Sequence, residues 1–277
     1  MTLSERNAFF KTGIILCSIF TLFVAASSFL IIPVYSQIMS EYTRRPGNVF
    51  QLITGFFLAK NYFSVYFSLA AVVIYSLISI IFIHFFFERT SSPEILYIAI
   101  FTISFSFESV RLVLPLQHIF NFSFFYVGLA SRILLFARFF SIFSLFTAGL
   151  CAAGLEVQKT RNVIFVLIVA SMVITIGVPI DSSNWNTSLN IVNSYISMFS
   201  LVEIAAFITT IISFFIAAKI HDTREYINIA IGITLALTGR GFIINVDNWT
   251  GLVPGIILLS FGTVTLCSKL HKIHLWL

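Results

Sequence analysis

The sequence predicts an all-α integral membrane protein: a polytopic bundle of eight transmembrane helices that forms a single domain over residues 1–277. Three observations predict it. Hydrophobic residues make up 58% of the chain. Charged residues make up only 10%, against roughly 25% in soluble globular domains, so they cannot cover a water-facing surface. The apolar residues also lie in long runs, each near the roughly 20 residues that a helix needs to cross a bilayer.

Eight of these apolar runs are long enough to span a membrane. They cover approximately residues 12–35, 62–87, 95–115, 128–155, 162–180, 198–220, 227–246 and 251–270. The first run follows Arg6 and Lys11 as a signal peptide would, but it continues to Tyr35 and is interpreted as an uncleaved anchor. The last two runs are divided by the turn sequence Asp247-Asn248-Trp249-Thr250-Gly251. If that turn re-entered the membrane, the chain would have seven spans.

The basic residues of the loops predict the orientation, because short loops rich in Lys and Arg stay in the cytoplasm. One side carries Arg6, Lys11, Arg89, Lys159, Arg161, Lys219, Arg224, Lys269 and Lys272. On the other side, the loops 116–127, 181–197 and 247–250 contain no Lys or Arg. Both termini are therefore predicted to lie in the cytoplasm. The chain itself is predicted to be a multi-pass protein of the inner or plasma membrane of a cell. The exception is the first outer loop, 36–61, which carries three basic residues. A long loop can be translocated across the membrane despite such positive charge.

Six charged side chains fall at least four residues inside the ends of the predicted spans, where charge is costly and usually faces the bundle interior or an aqueous cavity. They are Glu108, Arg111, Arg132, Arg138, Glu203 and Arg240. In the predicted orientation all six lie in the outer half of the membrane, with Asp247 just above them. Four Arg against two Glu leave two positive charges in excess, or one if Asp247 joins. An excess of buried guanidinium groups is suited to bind a carboxylate, phosphate or sulfate. The residues expected to bind this anion are Arg111, Arg138 and Arg240.

Two interpretations of these six residues stay open. In the first, they line an outward-facing pocket for an anion, and the two glutamates orient the arginines or carry a coupling proton. In the second, they form a structural network. Glu108 would pair with Arg111, three residues later on the same helix face, and Glu203 would pair with Arg138. Arg132 would extend to the outer headgroups.

Glycines flank one of the arginines, in the segment Thr238-Gly239-Arg240-Gly241. They favour one of two structures. The backbone could loosen and let a ligand approach closely, as in the discontinuous helices of transporters. Alternatively, Thr234, Thr238 and Gly241 could form a stripe of small residues that packs closely against another helix.

Several classes of function find no support in the residue patterns. The three cysteines, Cys17, Cys151 and Cys267, have no CxxC or Cys/His spacing and are predicted to be buried apolar residues. The five histidines show no metal-ligand pattern, so no metal and no cofactor are expected. Catalytic motifs are missing, so no catalytic residue is assigned and the chain is expected not to be an enzyme. The net charge of +5 is dispersed, without the basic stripe that nucleic-acid binding requires.

These features favour a carrier or permease-type protein that holds an anionic solute or a lipid headgroup in an arginine-rich pocket of the outer leaflet. Two alternatives stay open. The chain could be a membrane sensor that reads an external ligand in the same pocket. It could also be a non-catalytic assembly subunit whose charges pair with another membrane protein. Eight spans leave no room for a soluble output domain, so a sensor would act through a partner protein.

Overall fold

The computed structural model describes residues 3–42, 62–88, 90, 92–154, 160–185, 189–193, 196–246 and 248–276. Within them, eight helices are long enough and apolar enough to cross a membrane. The predicted set of eight apolar helices is therefore confirmed, and the orientation with both termini inside stays a prediction. Asp247, Arg89, Lys159 and the basic residues of the first outer loop lie outside the described part of the chain.

The helices follow the apolar runs, with ends shifted by several residues. In chain order they are α1 (Leu3–Tyr42), α2 (Tyr62–Phe87), α3 (Glu94–Ser104), α4 (Val113–Phe120), α5 (Phe124–Ala152), α6 (Thr160–Gly177), α7 (Ile196–Ile220), α8 (Glu225–Ile244) and α9 (Trp249–Trp276). A 3-10 helix, Phe105–Leu112, joins α3 to α4, and the three together form the third span. Both α8 and α9 have the length and composition of a membrane span, which favours eight spans over seven.

The third span lies at the centre of the packed helices. In the most apolar stretch of the third span, 89% of the residues are buried inside the protein, whereas the corresponding share is 22% in α1, α6 and α7. The 3-10 helix packs against α1, α2 and α5, and α3 packs against α2 and α5. The two charged residues of the 3-10 helix, Glu108 and Arg111, are consequently enclosed by protein.

Every long helix contributes to the largest group of buried apolar side chains. Cys17, Cys151 and Cys267 belong to this group, and all three are free thiols. The prediction that they are buried apolar residues is confirmed.

The first helix begins well before the predicted run, and Arg6 explains why. Its guanidinium donates to the carbonyl oxygen of Phe87 at 2.6 Å and to that of Thr90, at the end of α2. The side-chain amide of Asn7 donates to the carbonyl oxygen of Glu88 at 3.0 Å. The last carbonyls of a helix lack partners within that helix. These donors therefore stabilise both the start of α1 and the end of α2.

Among the described helices, α8 and α9 form the most extensive pair. They meet through four glycines, which we call the glycine seam: Gly232 and Gly239 of α8, with Gly255 and Gly262 of α9. A Cβ atom on Gly239 would lie 2.5 Å from the backbone nitrogen of Leu259, and one on Gly262 would lie 2.5 Å from that of Ala236. Such separations are too short for real Cβ atoms, so only glycine lets the two backbones approach this closely.

The predicted close packing near Arg240 exists, but on another face of the helix. The sequence predicts the stripe at Thr234, Thr238 and Gly241. Both threonines are exposed, and no described atom outside the adjacent helix backbone lies within 4 Å of a Cβ built on Gly241. Gly239 is the flanking glycine that contacts α9. Since α8 is a continuous α-helix, the loosened backbone that flanking glycines also allow does not occur within residues 225–244.

A short antiparallel hairpin lies between α6 and α7, where the sequence indicates only a loop. Its strands are β1 (Ile180–Trp185) and β2 (Ile191–Asn193), and Ile180 pairs with Asn193. Asn190 immediately precedes β2, and this position brings it to the charged residues of α5. The hairpin is a small addition to an otherwise helical fold.

Candidate functional site

Six polar side chains from five parts of the fold meet in the interior, and we call them the charged cluster: Glu108, Arg111, Arg138, Asn190, Glu203 and Arg240. Glu108 is its centre. Its Oε1 accepts from Nε of Arg138 at 2.7 Å, and its Oε2 accepts from Nη2 of the same arginine at 2.7 Å. Such a bidentate pair is the strongest form of the arginine–carboxylate interaction. The Glu108 side chain is only 5% exposed.

The 3-10 helix places a second arginine beside the same carboxylate. Nη1 of Arg111 donates to Oε2 of Glu108 at 3.4 Å. In a 3-10 helix, side chains three residues apart lie directly above one another, so Glu108 and Arg111 share one face. Nη2 of Arg111 donates to the carbonyl oxygen of Ile244 at 3.4 Å. The predicted pair of Glu108 with Arg111 is confirmed, although Arg138 makes the shorter contacts.

Asn190 connects the hairpin to the cluster. Its Oδ1 accepts from Nη2 of Arg138 at 2.8 Å, and its Nδ2 donates to the carbonyl oxygen of Ile244 at 3.3 Å. Ile244 is the last residue of α8, and the last carbonyls of a helix have no partner within it. Asn190 and Arg111 together satisfy this carbonyl.

Arg240 forms the second ion pair of the cluster. Its Nη1 donates to Oε1 of Glu203, and its guanidinium carbon lies 5.9 Å from the centre of the Phe207 ring, within range of a cation–π interaction. The Arg240 side chain is 2% exposed and that of Glu203 is 35% exposed. Nη2 of Arg240 is buried and has no hydrogen-bond partner among the described residues.

The two ion pairs belong to one electrostatic unit. Coulombic attraction connects Glu108 with Arg240 and Arg138 with Glu203. The described members carry three positive and two negative charges, which leaves one positive charge in excess. The predicted pair of Glu203 with Arg138 is wrong, since Arg138 is held by Glu108 and Glu203 by Arg240. Helix spacing alone does not indicate which arginine a carboxylate reaches, because this depends on how neighbouring helices are rotated.

Arg132 is the one predicted site residue with no described contact to the cluster. It is exposed, and its Nη1 lies 3.5 Å from the carbonyl oxygen of Ile176. Phe124, Phe125 and Leu129 surround it in a separate, largely apolar groove. Arg132 and Arg138 are six residues apart, which corresponds to about 120° around an α-helix. The two arginines therefore project from different faces of α5.

A small cleft opens beside the cluster. Its volume is about 40 Å³. Its polar walls are the guanidinium groups of Arg111 and Arg138, the Asn190 amide and the Ser131 hydroxyl. The other walls are apolar: Val110, Leu114, Val127, Ala130, Leu134, Leu135 and Leu189. A water molecule needs roughly 10–15 Å³ of such space. The cleft thus has room for about three waters or for one compact group such as a carboxylate or a phosphate.

Two members of the site carry no charge, and the sequence analysis does not identify them. Phe207 lies four residues after Glu203 on one helix and therefore shares its face, so helical spacing could have predicted it. Asn190 lies in an irregular stretch without periodicity, and the sequence contains no signal that would place it against Arg138.

No known protein-family model matches the chain, and no curated protein shows significant similarity to it. The properties of the charged cluster and its cleft are therefore the basis for assigning a function.

Proposed function

We propose that the chain is a multi-pass membrane carrier and that its cleft binds the anionic group of a solute or of a lipid headgroup. One observation supports this most. Two arginines from different spans share a single carboxylate and also line one cleft with the Asn190 amide: Arg111, whose side chain is 2% exposed, and Arg138, whose side chain is 20% exposed. Guanidinium and amide groups are the donors that a carboxylate or phosphate accepts from.

The charge balance of the cluster indicates that the ligand is an anion rather than a cation. An uncompensated charge in a membrane interior is costly and is usually neutralised by a partner. The described cluster has one positive charge in excess, and the two arginines that line the cleft, Arg111 and Arg138, share the single carboxylate of Glu108. A monoanion in the cleft would neutralise the excess, whereas a cation would increase it. Asp247 is the other candidate counter-charge, and it is tested below.

The 3-10 helix is the feature that favours a carrier over a static subunit. A carrier needs two arrangements of its site, and a 3-10 stretch within a longer helix often marks a hinge. This one is eight residues long. Conversion to α-helix would shorten it by about 4 Å, from 2.0 to 1.5 Å per residue. It would also offset Arg111 from Glu108 by about 60°, so the contact between these two side chains and the shape of the cleft would change.

The binding step is tested by thermal unfolding of the purified chain with sodium phosphate, sodium sulfate, sodium acetate or phosphatidylglycerol. A probe at 100 times its dissociation constant stabilises the folded state by roughly 2.7 kcal/mol. We expect at least one probe to raise the melting temperature. Asn190→Ala should reduce the shift, because it removes an amide from the cleft and leaves the charge balance unchanged. Arg132→Gln is the control and should keep it.

The outcome that contradicts an anion site is a folded wild-type protein that responds to none of these probes. Asp247→Asn then identifies the counter-charge. If this variant binds phosphate or acetate and the wild type does not, Asp247 neutralises the cluster and the cleft is not a site for an external anion.

Transport is tested with the probe that binds. Liposomes that contain the protein should take up that anion, and Asn190→Ala should slow the uptake. Binding without uptake would identify the sensor alternative. Orientation is tested by a reporter fused after Leu277, which we expect to be active on the cytoplasmic side. A reporter that is active outside would overturn the arrangement with both termini inside.

A further inference from the structure

A second and larger cavity lies between α2, α3 and α9. Its volume is about 420 Å³, and its walls share no residue with the charged cluster: they are Ala71, Ile74, Tyr75, Ile78, Ser79, Phe82, Ile83, Thr102, Ile256, Ser260, Thr263, Val264 and Cys267. All of these residues are described, and none of them carries a formal charge at neutral pH. Binding pockets for small molecules typically measure about 300–1,000 Å³ and are mostly apolar with a few polar groups, which is the composition found here.

The cavity lies near the middle of the helices that enclose it. Tyr75 follows the first residue of α2 by 13 positions and precedes the last by 12. Thr263 follows the first residue of α9 by 14 positions and precedes the last by 13. If both helices cross the bilayer, the two residues lie close to its centre, where lipid headgroups and bulk water do not reach.

Tyr75 presents a buried hydroxyl at this depth. The hydroxyl has no hydrogen-bond partner of normal geometry among the described residues, although those of Ser79 and Thr263 lie near it. The Thr263 hydroxyl donates its proton to the carbonyl oxygens of Leu259 and Ser260 at 3.0 Å. It could therefore act toward Tyr75 only as an acceptor, and its contact with the Tyr75 hydroxyl lacks hydrogen-bond geometry. A polar group without a partner in hydrocarbon is costly. The Tyr75 hydroxyl is a donor that an acceptor within the cavity would satisfy.

The mouth of the cavity faces the bilayer. Ile74, Ile78 and Val264 line it and are 48%, 61% and 52% exposed, and they belong to the apolar surfaces of α2 and α9. A molecule dissolved in the membrane can therefore enter between these two helices. The hydrocarbon chain of a phospholipid could enter as well, but it has no acceptor for the Tyr75 hydroxyl at this depth.

We propose that this cavity binds a neutral, lipid-soluble molecule with a carbonyl oxygen, which accepts the hydrogen bond of Tyr75 while its apolar body lies between α2 and α9. The uncharged walls exclude an ionic headgroup, because a charge without a counter-charge would be buried at the membrane centre. This site does not depend on the charged cluster, so the two proposals can fail separately.

The test uses photochemical labelling of the full chain in lipid nanodiscs. One probe is a long-chain ketone with a diazirine group, and the second is phosphatidylcholine with a diazirine in its acyl chain. Labelled peptides are identified by mass spectrometry. Tyr75→Phe removes the hydroxyl and keeps the ring, which packs edge-to-face on Phe105 with centroids 5.8 Å apart. Val264→Trp blocks the mouth, and Ile231→Trp changes an equally exposed side chain on α8, outside the cavity.

We expect the ketone probe to label residues 71–83 and 256–267. Labelling should fall roughly three- to tenfold in Tyr75→Phe, the factor for one lost hydrogen bond. It should be lost in Val264→Trp and unchanged in Ile231→Trp. If the ketone labels neither segment of the wild type, the cavity does not bind it and the proposal is wrong. If both probes label these segments and Tyr75→Phe has no effect, a phospholipid chain fills the cavity, and the proposal is again overturned.

Discussion

The charged cluster and the glycine seam hold helices together in opposite ways. In the cluster, long side chains from the 3-10 helix, α5, α7 and α8 meet through ion pairs. In the seam, the four glycines let α8 and α9 approach closely, and Gly239 and Gly262 meet only backbone atoms of the other helix. In a bilayer, water would not drive the association of either region, because lipid tails are as apolar as the helix surfaces, and packing and polar contacts would then decide which helices associate.

Adjacent residues of α8 take part in both regions. Gly239 contacts α9, and Arg240 reaches Glu203 of α7. Consecutive residues of an α-helix point about 100° apart, so one helix can present the seam to one neighbour and the cluster to another. The comparison shows what each region tolerates. The seam depends on the volume of a single methyl group, whereas the cluster depends on the sum of its charges.

The largest effect is expected when the cluster loses its central carboxylate. Glu108→Gln leaves the buried Arg111 and the 20% exposed Arg138 without their shared counter-charge. Removing one partner of a buried ion pair destabilises a protein by about 3–5 kcal/mol, and we expect a loss in this range in the free energy of unfolding. The measurement is denaturant unfolding of the purified protein.

The control for that variant is Glu225→Gln. Glu225 pairs with Lys269 at 3.1 Å and with Lys272 at 2.6 Å, and these partners are 33% and 54% exposed. A solvent-accessible pair contributes at most about 1 kcal/mol. Equal losses in Glu108→Gln and Glu225→Gln would show that burial does not distinguish the two networks.

A smaller effect is expected in the seam, where two glycines two positions apart provide a matched pair. A Cβ on Gly239 would lie 2.5 Å from the backbone nitrogen of Leu259 and 2.8 Å from the carbonyl oxygen of Gly255. Backbone atoms cannot turn away, so α8 and α9 must separate. Overpacking of this kind costs about 1–3 kcal/mol, and Gly239→Ala should destabilise the protein by that amount.

Gly241→Ala is the counterpart, because no described atom outside the adjacent helix backbone lies within 4 Å of its built Cβ. Alanine is the better helix former by about 1 kcal/mol, so this change should be neutral or slightly stabilising. Denaturant unfolding of both glycine variants is the measurement. A destabilisation equal to that of Gly239→Ala would mean that the seam does not depend on the face that contacts α9.

These two regions were predictable from the sequence to different degrees. The helices follow from apolar runs, and the ionisable members of the cluster follow from charges within those runs. Of the pairings, the spacing of three residues predicts Glu108 with Arg111, whereas Glu108 with Arg138 and Glu203 with Arg240 have no signal in the sequence. Glu108 and Arg111 would be offset by about 60° on an α-helix and are aligned on a 3-10 helix, and no residue pattern indicates that change. The sequence predicts close packing at Gly241, because Thr234, Thr238 and Gly241 form a stripe of small residues, and only the rotation of α8 shows that Gly239 makes the contact with α9.

A further difference in stability is expected between variants of the two partners in the second ion pair, Glu203 and Arg240. Glu203→Gln leaves Arg240, which is 2% exposed, without its counter-charge, and we expect a loss of about 2 kcal/mol for this buried but partly stacked guanidinium. Arg240→Met leaves Glu203, which is 35% exposed. A carboxylate that is partly exposed keeps contact with solvent and depends less on its partner, so this loss should be nearer 1 kcal/mol. The order of the two melting temperatures is the measurement, and the reverse order would mean that Arg240 is the better solvated partner.

The smallest effect is expected for Arg132, which marks the boundary of the cluster. This arginine is exposed and has one long contact, 3.5 Å to the carbonyl oxygen of Ile176. Surface substitutions of this kind usually change stability by less than about 0.5 kcal/mol, so Arg132→Gln should melt close to the wild type and keep its response to anions. If it instead loses that response, a fourth arginine contributes to the anion site, as the sequence alone suggests. The excess of positive charge at the site would then be two, and the preferred ligand would be a dianion such as phosphate or sulfate rather than a carboxylate.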